Sequence, residues 1–370
     1  MVASRLTLAL ALALGLLTGP ALSQTQITCV GFFGIGAYQG TECKPFPGRK
    51  AKISIGQLAD TVADTRITEI RLISDDKPDQ AFDLSPLAGA SHIRTLDIYR
   101  EGEIDPAPVL AMQGLKSLSL SIDAARALPQ LARNGATGPE GLAGLRLYIP
   151  RDTVDLAPLS GWSGLRLLDI DAATVTGTDA LATLTVLLSV DIDIKTPADF
   201  TPLGAATGLR DLTLRGVLGG QAVSDIAFLA RLTDLHALTL DTNSVTDLAP
   251  LSGLTGLRTL VLSRNAALRD LAPIAGLTDL RNLQLRGTGV SDLSPLRDMS
   301  KLTILWLDRT PVSDISVLAG MPEMFGLELS RTKVSDLSPL EGLAGLKHLS
   351  VRGAPVTDFS PVPAWTRVKK

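Results

Sequence analysis

Six aspartates in the middle of the chain are the side chains whose type and spacing could support chemistry. Two Asp-x-Asp pairs are followed by two single residues, which gives Asp169, Asp171, Asp191, Asp193, Asp211 and Asp241. Paired carboxylates can act as general acid and base, and about six to eight oxygen ligands can hold Ca²⁺. A group of carboxylates also attracts a basic macromolecule. Which of these three functions applies, catalysis, calcium binding or binding of a basic partner, depends on the secondary-structure elements that carry the aspartates.

Residues that would indicate catalysis are sparse. The three histidines, His92, His236 and His348, lie in distant segments, and none stands beside a recurrent serine or cysteine. The sequence contains no H-E-x-x-H, G-x-S-x-G or Walker-type motif, and the glycine-rich segment 31–36 does not follow a strand pattern. We therefore expect no enzyme activity and no cofactor, with calcium as the one alternative.

The first 23 residues have the pattern of a secretory signal peptide. Arg5 precedes an apolar run over residues 6–17, and a small-residue cleavage site follows at residues 21–23. The run is too short to cross a bilayer, which takes about 20 apolar residues, and no later segment competes with it. We expect an exported chain, periplasmic or extracellular, without a membrane span.

Both cysteines, Cys29 and Cys43, follow this leader. Two cysteines close together in an exported protein favour a disulfide over a metal site or a nucleophile. Two free, buried thiols are the alternative.

Charge and composition narrow the kind of partner and the kind of core. Loss of residues 1–23 removes Arg5 and changes the net charge from −3 to −4, which argues against nucleic acid. Apolar residues make up 45% of the chain but aromatic residues only 4%, so the core must consist of similar aliphatic side chains, as in stacked repeats. We expect a monomer.

One phrase recurs along the C-terminal half with a period of 22 residues, once 23. It occurs as VTDLAPL at 245–251, LRDLAPI at 268–274, VSDLSPL at 290–296, VSDISVL at 312–318, VSDLSPL at 334–340 and VTDFSPV at 356–362. With the Asp as position zero, aliphatic residues recur at +10, +13 and +15. The same spacing fits upstream from Asp225, Asp199, Asp155, Asp105 and Asp83. The x-L-x-L pairs from Ile70 to Val351 predict 13 short strands.

The role of each position follows from its periodicity. Leu-x-Leu alternation points the leucines inward and the intervening residues outward, so one strand per repeat predicts a parallel sheet. The D-L-x-P-L phrase starts a short helical turn on the opposite side, where the Asp accepts from the free N–H groups. These features predict an α/β repeat solenoid with a parallel concave sheet and 3-10 or irregular convex turns.

The phrase V-S-D-L-S-P-L-x-x-L-x-x-L-x-x-L-x-L resembles the internalin-type, 22-residue leucine-rich repeat over roughly residues 58–362. Its strands are closed by Asn243, Asn265, Thr288, Thr310 and Thr332. The resemblance implies a leucine-rich-repeat horseshoe or arc whose concave sheet binds protein ligands.

Four regions follow from these patterns. Residues 1–23 form the signal peptide, 24–57 an N-terminal cap with the Cys29–Cys43 disulfide, 58–355 the solenoid and 356–370 a C-terminal cap. Caps cover the apolar end layers of a solenoid, and we expect Trp365 over the last layer, in a turn that completes no further strand. Residues 121–144 and 217–222 depart from the period and are expected to be loops.

The outward positions +12, +14 and +16 define the candidate ligand-binding surface. Neighbouring strands lie about 4.8 Å apart, so the six aspartates should form one acidic patch that Lys195 and Arg215 offset only in part. We favour a docking surface for a basic partner. A divalent-cation site and an ordinary solvated face are the alternatives.

A second group of outward residues lies in the C-terminal half. Trp306 stands at +14, and arginines recur at +16 or +17 as Arg264, Arg286, Arg309, Arg331 and Arg352. A Trp flanked by Arg is typical of an interface hot spot, although exposed charged residues are often only solvated; Tyr99 and Tyr148 are weaker candidates. We predict a protein-binding module for a basic or mixed-charge partner. The alternative is a calcium-dependent or purely structural, adhesive envelope protein.

Overall fold

A computed structural model describes the backbone of residues 28–31, 34–39, 42–45, 49–53, 55–73, 83–99, 104–121, 141–216 and 223–370. These residues belong to two compact units, Met1–Arg146 and Leu147–Lys370. The predicted signal peptide, most of the predicted loop at 121–144 and the whole loop at 217–222 lie outside the described residues.

The first unit begins with a small antiparallel sheet. It contains β1 (Thr28–Gly31), β2 (Gly34–Gln39) and β3 (Glu42–Pro45), with β2 in the middle. Cys29 pairs through its backbone with Gly36, and Cys43 with Tyr38. The cysteine side chains lie outside the described part of the chain, so the disulfide stays a prediction.

Four parallel strands follow in the first unit. They are β4 (Arg49–Ile53), β5 (Ile67–Ile73), β6 (Thr95–Tyr99) and β7 (Ser117–Ser121), each paired with the next. Two short α-helices, α1 (Leu58–Ala63) and α2 (Ala107–Leu110), and two 3-10 helices, Ile55–Gln57 and Ser85–Leu87, connect them. Strand β4 lies in the segment predicted as a cap, so the parallel sheet begins earlier than the repeat pattern indicated.

The second unit continues the same architecture with one strand per repeat. Strand β8 (Gly144–Asp155) contains the boundary between the units, and the later strands follow in sequence order in one sheet. They are β9 (Leu167–Thr176), β10 (Ser189–Asp193), β11 (Asp211–Arg215), β12 (Ala237–Thr239), β13 (Thr259–Val261), β14 (Asn282–Gln284), β15 (Ile304–Trp306), β16 (Gly326–Glu328), β17 (His348–Ser350) and β18 (Arg367–Lys369).

The strand count agrees with the sequence pattern except at the ends. Strands β5 to β17 are the 13 strands predicted between Ile70 and Val351. Strand β18 is an addition, because the sequence pattern predicts no strand after the last helical turn; its Val368 pairs with Leu349 of β17. Trp365 remains 58% exposed with the ammonium of Lys347 5.5 Å from its ring centroid, so it does not by itself close the last layer.

Short 3-10 helices connect the strands of the second unit on the side opposite the sheet. They span Ala157–Leu159, Thr178–Thr183, Thr201–Ala205, Ala227–Arg231, Ala249–Leu251, Ala272–Ile274, Ser294–Leu296, Ser316–Gly320 and Ser338–Leu340. The repeated Asp accepts from the N–H two residues later, at 2.8 Å for Ala249 to Asp247 and for Ala272 to Asp270. The predicted capping role of the Asp is confirmed, although the Asp stands two residues before the first helical residue, one position ahead of the N-cap residue.

The core is a stack of aliphatic side chains. Leu257, Leu260 and Leu262 are completely buried, and the leucines at the same positions of the following repeats are buried as well. The leucine-rich-repeat solenoid is therefore confirmed as the fold. No helix among the residues described is long and apolar enough to cross a membrane.

Candidate functional site

The outward side of the parallel sheet in the second unit, which we call the sheet face, carries most of the predicted site residues. Along β9, buried Leu168 and Ile170 alternate with half-buried Asp169 and Asp171. This alternation is the one expected for a strand with one face on a core. The side chains on the sheet face are therefore held at the spacing of the strands beneath them.

The two Asp-x-Asp pairs lie side by side on the sheet face. Strands β9 and β10 place Asp169 opposite Asp191 and Asp171 opposite Asp193, so four carboxylates stand on two neighbouring strands. On the next strand, β11, Asp211 pairs with Ser189 and Arg215 with Asp193. We call the six predicted aspartates the aspartate cluster; the strand register brings its two Asp-x-Asp pairs together, whereas Asp211 stands opposite Ser189 and Asp241 lies beyond the end of β12.

Arg215 binds two members of the aspartate cluster. Its Nη1 lies 3.1 Å from Oδ1 of Asp191 and 3.0 Å from Oδ1 of Asp193. Burial disfavours the charged guanidinium, but Asp191 and Asp193 outweigh that effect, so the pKa of Arg215 is raised. Arg215 therefore offsets part of the negative charge of Asp191 and Asp193.

Asp241 and Asp211 experience a different environment. Burial raises the pKa of Asp241 even though Nη1 of Arg264 lies 3.5 Å away. The side chain of Asp211 reaches solvent, yet loss of hydration on the crowded face raises its pKa, against the opposing charges of His236 and Arg210. Ionising a carboxyl group with a raised pKa costs additional free energy. A positively charged group nearby offsets this cost, because it stabilises the carboxylate.

Lys195 does not act as expected. Its Nζ donates to the backbone oxygen of Pro150 at 2.5 Å, whereas Arg215 contacts the second Asp-x-Asp pair, Asp191 and Asp193. No group of three or more His, Cys, Asp or Glu residues is placed to hold a metal ion in the parts of the chain described here. The arrangement gives the calcium alternative no support.

Trp306 and its neighbours form the second part of the site. Trp306 is half-buried on the sheet face, between Gln284 of β14 and Glu328 of β16. Two residues beyond the Gln284–Trp306 pair, Nε of Arg286 donates to Oδ2 of Asp308 at 2.5 Å. Asp308 is almost completely buried, a feature that its outward +16 position did not predict.

The recurrent arginines fall into two backbone classes, which their spacing in the sequence did not distinguish. Arg286 and Arg352 stand at +16, whereas Arg264, Arg309 and Arg331 stand at +17 with left-handed φ values of 63°, 60° and 59°. In the two repeats with arginine at +16, the +17 position is a left-handed glycine, Gly287 or Gly353. These glycines were the signal that could have revealed the left-handed position.

Two candidate tyrosines and two of the histidines have other contacts. Tyr148 is 40% exposed on β8, and in the first unit the guanidinium of Arg71 lies 5.5 Å from the ring centroid of Tyr99. His348 packs edge-on against Phe325, and Nδ1 of His236 lies 2.7 Å from the backbone oxygen of Asp234. The partners in these two contacts are an aromatic ring and a backbone oxygen, and neither is a nucleophilic side chain.

Three solved structures show similarity to this chain. An internalin from Listeria monocytogenes is 25% identical, with a TM-score of 0.57 over 82% of this chain and 80% of that chain. Internalin C2 from the same strain is 34% identical, with a TM-score of 0.40 over 45% of this chain and 72% of that chain. The plant peptide hormone receptor RGFR1 in complex with RGF2 is 15% identical, with a TM-score of 0.55 over 89% of this chain and 57% of that chain.

The plant receptor is too distant in sequence to show more than the fold. No protein-family model matches the sequence, and a search of curated proteins finds no significant match.

Proposed function

Because the chain belongs to the internalin-type leucine-rich-repeat proteins, which makes it a protein-binding repeat module, we propose that its sheet face recognises a partner of basic or mixed charge outside the cytoplasm. The observation that carries the proposal is the register of Asp169 with Asp191 and of Asp171 with Asp193. Side-by-side carboxylates on an open face favour a cationic partner.

The raised pKa values within the aspartate cluster support this choice of partner. Burial raises the pKa of Asp241, and partial loss of hydration raises that of Asp211, whose side chain still reaches solvent. A lysine or arginine from the partner would stabilise their charged forms, so part of the electrostatic cost in the free protein becomes affinity in the complex.

The repeat lattice supports rigid recognition. Strands β9 to β17 are held by parallel pairing on a core of buried leucines, so the outward side chains keep fixed spacings. A surface ordered before binding loses little conformational entropy on association. The plant receptor in complex with RGF2 is a precedent, at the level of the fold, for a ligand-binding solenoid of this kind.

Export is part of the proposal and rests on the N-terminal sequence. We expect a mature chain that begins at Gln24 in the periplasm or in the medium. N-terminal sequencing of the secreted or periplasmic protein checks this, and a mature chain that retains residues 1–23 would contradict it.

Two variants with opposite charge effects test the aspartate cluster. Asp191→Asn with Asp193→Asn removes two carboxylates and releases Arg215, so binding of a basic partner should fall and lose salt dependence. Arg215→Ala instead releases both carboxylates, so the same binding should rise several-fold at low salt. Partners captured from the native extracellular or periplasmic fraction serve as the ligand, and affinities are measured by calorimetry.

The matched control is Arg297→Ala. Arg297 donates through Nε to the backbone oxygen of Ser294 in a 3-10 helix, on the side of the repeat away from the sheet. Affinities that are equal in the wild type, in both cluster variants and in the control would exclude the cluster. That result would favour the purely structural envelope protein.

A further inference from the structure

The left-handed arginines at the edge of the sheet face are an unexpected feature of the backbone. A non-glycine residue with a φ near 60° is disfavoured, because its Cβ crowds the following carbonyl oxygen. Arg309 and Arg331 have this conformation at position +17 of their repeats. Gly287 and Gly353 have it at the same position of other repeats, where glycine adopts it without strain. Arginine at these positions therefore has a backbone cost that glycine, already used by the same protein, would remove.

The side chains of these residues receive little in return from the folded chain. Arg264 reaches Asp241 and Thr242 of the preceding repeat. The guanidinium groups of Arg309, Arg331 and Arg352 are exposed and make no hydrogen bond or ion pair within the residues that the structure describes. Like charges on neighbouring strands add repulsion. Local structure thus does not account for their presence.

The surroundings indicate what the free guanidinium groups would bind. Arg309 follows Trp306 by three residues. Ile304 and Trp306 on β15 are partly exposed, as is Phe325 just before β16. The carboxylate of Asp308 is paired with Arg286, so it does not neutralise the charge of the other arginines. The result is a positive edge beside a modest apolar surface, bordered opposite Trp306 by Glu328, whose Oε1 accepts from the N–H of Ser330.

We infer that Arg309, Arg331 and Arg352 bind an acidic peptide segment of the protein partner, with an apolar side chain of that segment against Trp306. This inference rests on the proposed function and makes the partner bipolar, with a basic part on the aspartate cluster and an acidic part here. Strands β10 and β15 are five strand spacings apart, so the two parts are separated by about 24 Å along the sheet.

A short acidic segment fits better than a long polyanion. The chain has a net charge of −3, and a polyanion that extended from Arg309 toward β10 would meet Asp241 and then Asp193. A peptide of a few residues can contact the arginines without reaching those carboxylates. Binding of a nucleic acid or an anionic polysaccharide at these arginines would therefore count against the inference.

Selection from a random linear peptide library against the full mature chain tests the inference. Selected peptides should be enriched in Asp and Glu and should contain an aromatic or aliphatic residue. Their affinity should fall at least tenfold for Arg309→Ala with Arg331→Ala, and equally for Arg309→Gly with Arg331→Gly. The control Arg297→Ala should bind like the wild type, and rising salt should weaken binding.

The glycine and alanine variants also separate backbone strain from side-chain function. The glycine variant should melt at or above the wild-type temperature and above the alanine variant, because only glycine removes the left-handed penalty. A glycine variant that is less stable than the wild type would show that the arginine stems serve the fold, and would overturn the inference.

Other outcomes distinguish this inference from the proposed function. Basic peptides that bind all arginine variants equally but are lost with Asp191→Asn and Asp193→Asn would overturn the inference and leave the proposed function standing. A heparin fragment that displaces the acidic peptides and binds the same arginines more tightly would replace the peptide with a polyanion. Selected peptides that are insensitive to every substitution on the sheet face would overturn both.

Discussion

Nε of Arg286 lies 2.5 Å from Oδ2 of Asp308, and this bond joins the ends of two neighbouring strands, β14 and β15. The Asp308 side chain is only 4% exposed, whereas Arg286 is 44% exposed. Oδ1 of Asp308 is buried and has no hydrogen-bond partner in the described residues. The carboxylate therefore depends on Arg286 for its stability.

Arg286→Ala should destabilise the second unit by about 1–3 kcal/mol, because it leaves a buried carboxylate without its ion pair, while the exposure of Arg286 limits the loss. The equivalent ladder position of the next repeat carries Ser330, so Asp308→Ser in the same background should restore most of the stability. Urea unfolding of both single variants and of the double variant measures the coupling. Additive losses would show that the pair is not stabilising.

Asn265 stabilises the junction between repeats. It is completely buried; its Nδ2 donates to the backbone oxygens of Leu240 and Leu262, and its Oδ1 accepts from the N–H of Val245. Asn265→Ala should cost about 2–4 kcal/mol, because three backbone groups lose a partner in a dry environment. Hydrogen exchange at the Val245 amide should accelerate more than exchange in β17; uniform acceleration would contradict the local role.

Much of this architecture follows from the sequence because the repeat specifies it many times. The pattern recurs in register, with buried leucines at +10, +13 and +15 and a capping Asp at zero. A repeat with an irregular sequence can therefore be assigned from the regular repeats beside it. The three polar interactions that Asn265 makes, by contrast, follow only from the folded backbone. The sequence correctly located Asn243 and Asn265 at the strand ends but did not show which groups they bind.

The candidate site was less predictable for a physical reason. Alternation along β10 and β11 places Asp193 and Arg215 on one face, but the ion pair depends on side-chain reach across strands. The burial of Asp308 depends on Arg286 in the preceding repeat. The end of the sheet at β18 depends on packing against β17 rather than on the leucine pattern.

The aspartates that cap the 3-10 helices should make the chain sensitive to acid. Hydrogen bonds from the Ser294, Ser316 and Ser360 backbone N–H groups and hydroxyls lower the pKa values of Asp292, Asp314 and Asp358. A folded-state pKa below the unfolded value of about 3.9 gives stability that is complete above that value. This stability disappears as the pH falls through the lowered pKa.

The triple variant Asp292→Asn, Asp314→Asn and Asp358→Asn separates charge from hydrogen bonding. Asparagine still offers a side-chain oxygen to the same N–H groups, so the helices should begin where they do now. The midpoint of urea unfolding should fall less steeply between about pH 5 and pH 2 than in the wild type. Equal slopes in the two proteins would mean that other carboxyl groups control acid unfolding.

Asp211 should show the opposite dependence on pH. Its pKa is raised by loss of hydration, against the attraction of His236 and Arg210, so ionisation is more costly in the folded state than in the unfolded state. Stability linked to this group is complete below the unfolded pKa of about 3.9 and is lost as the pH rises through the raised folded value. Asp211→Asn should therefore stabilise the protein at pH 7 and have little effect at pH 3. Urea unfolding at the two pH values, with Asp234→Asn as an exposed control, measures the difference, and a destabilised Asp211→Asn protein at pH 7 would show that the carboxylate is favourably paired in the free protein.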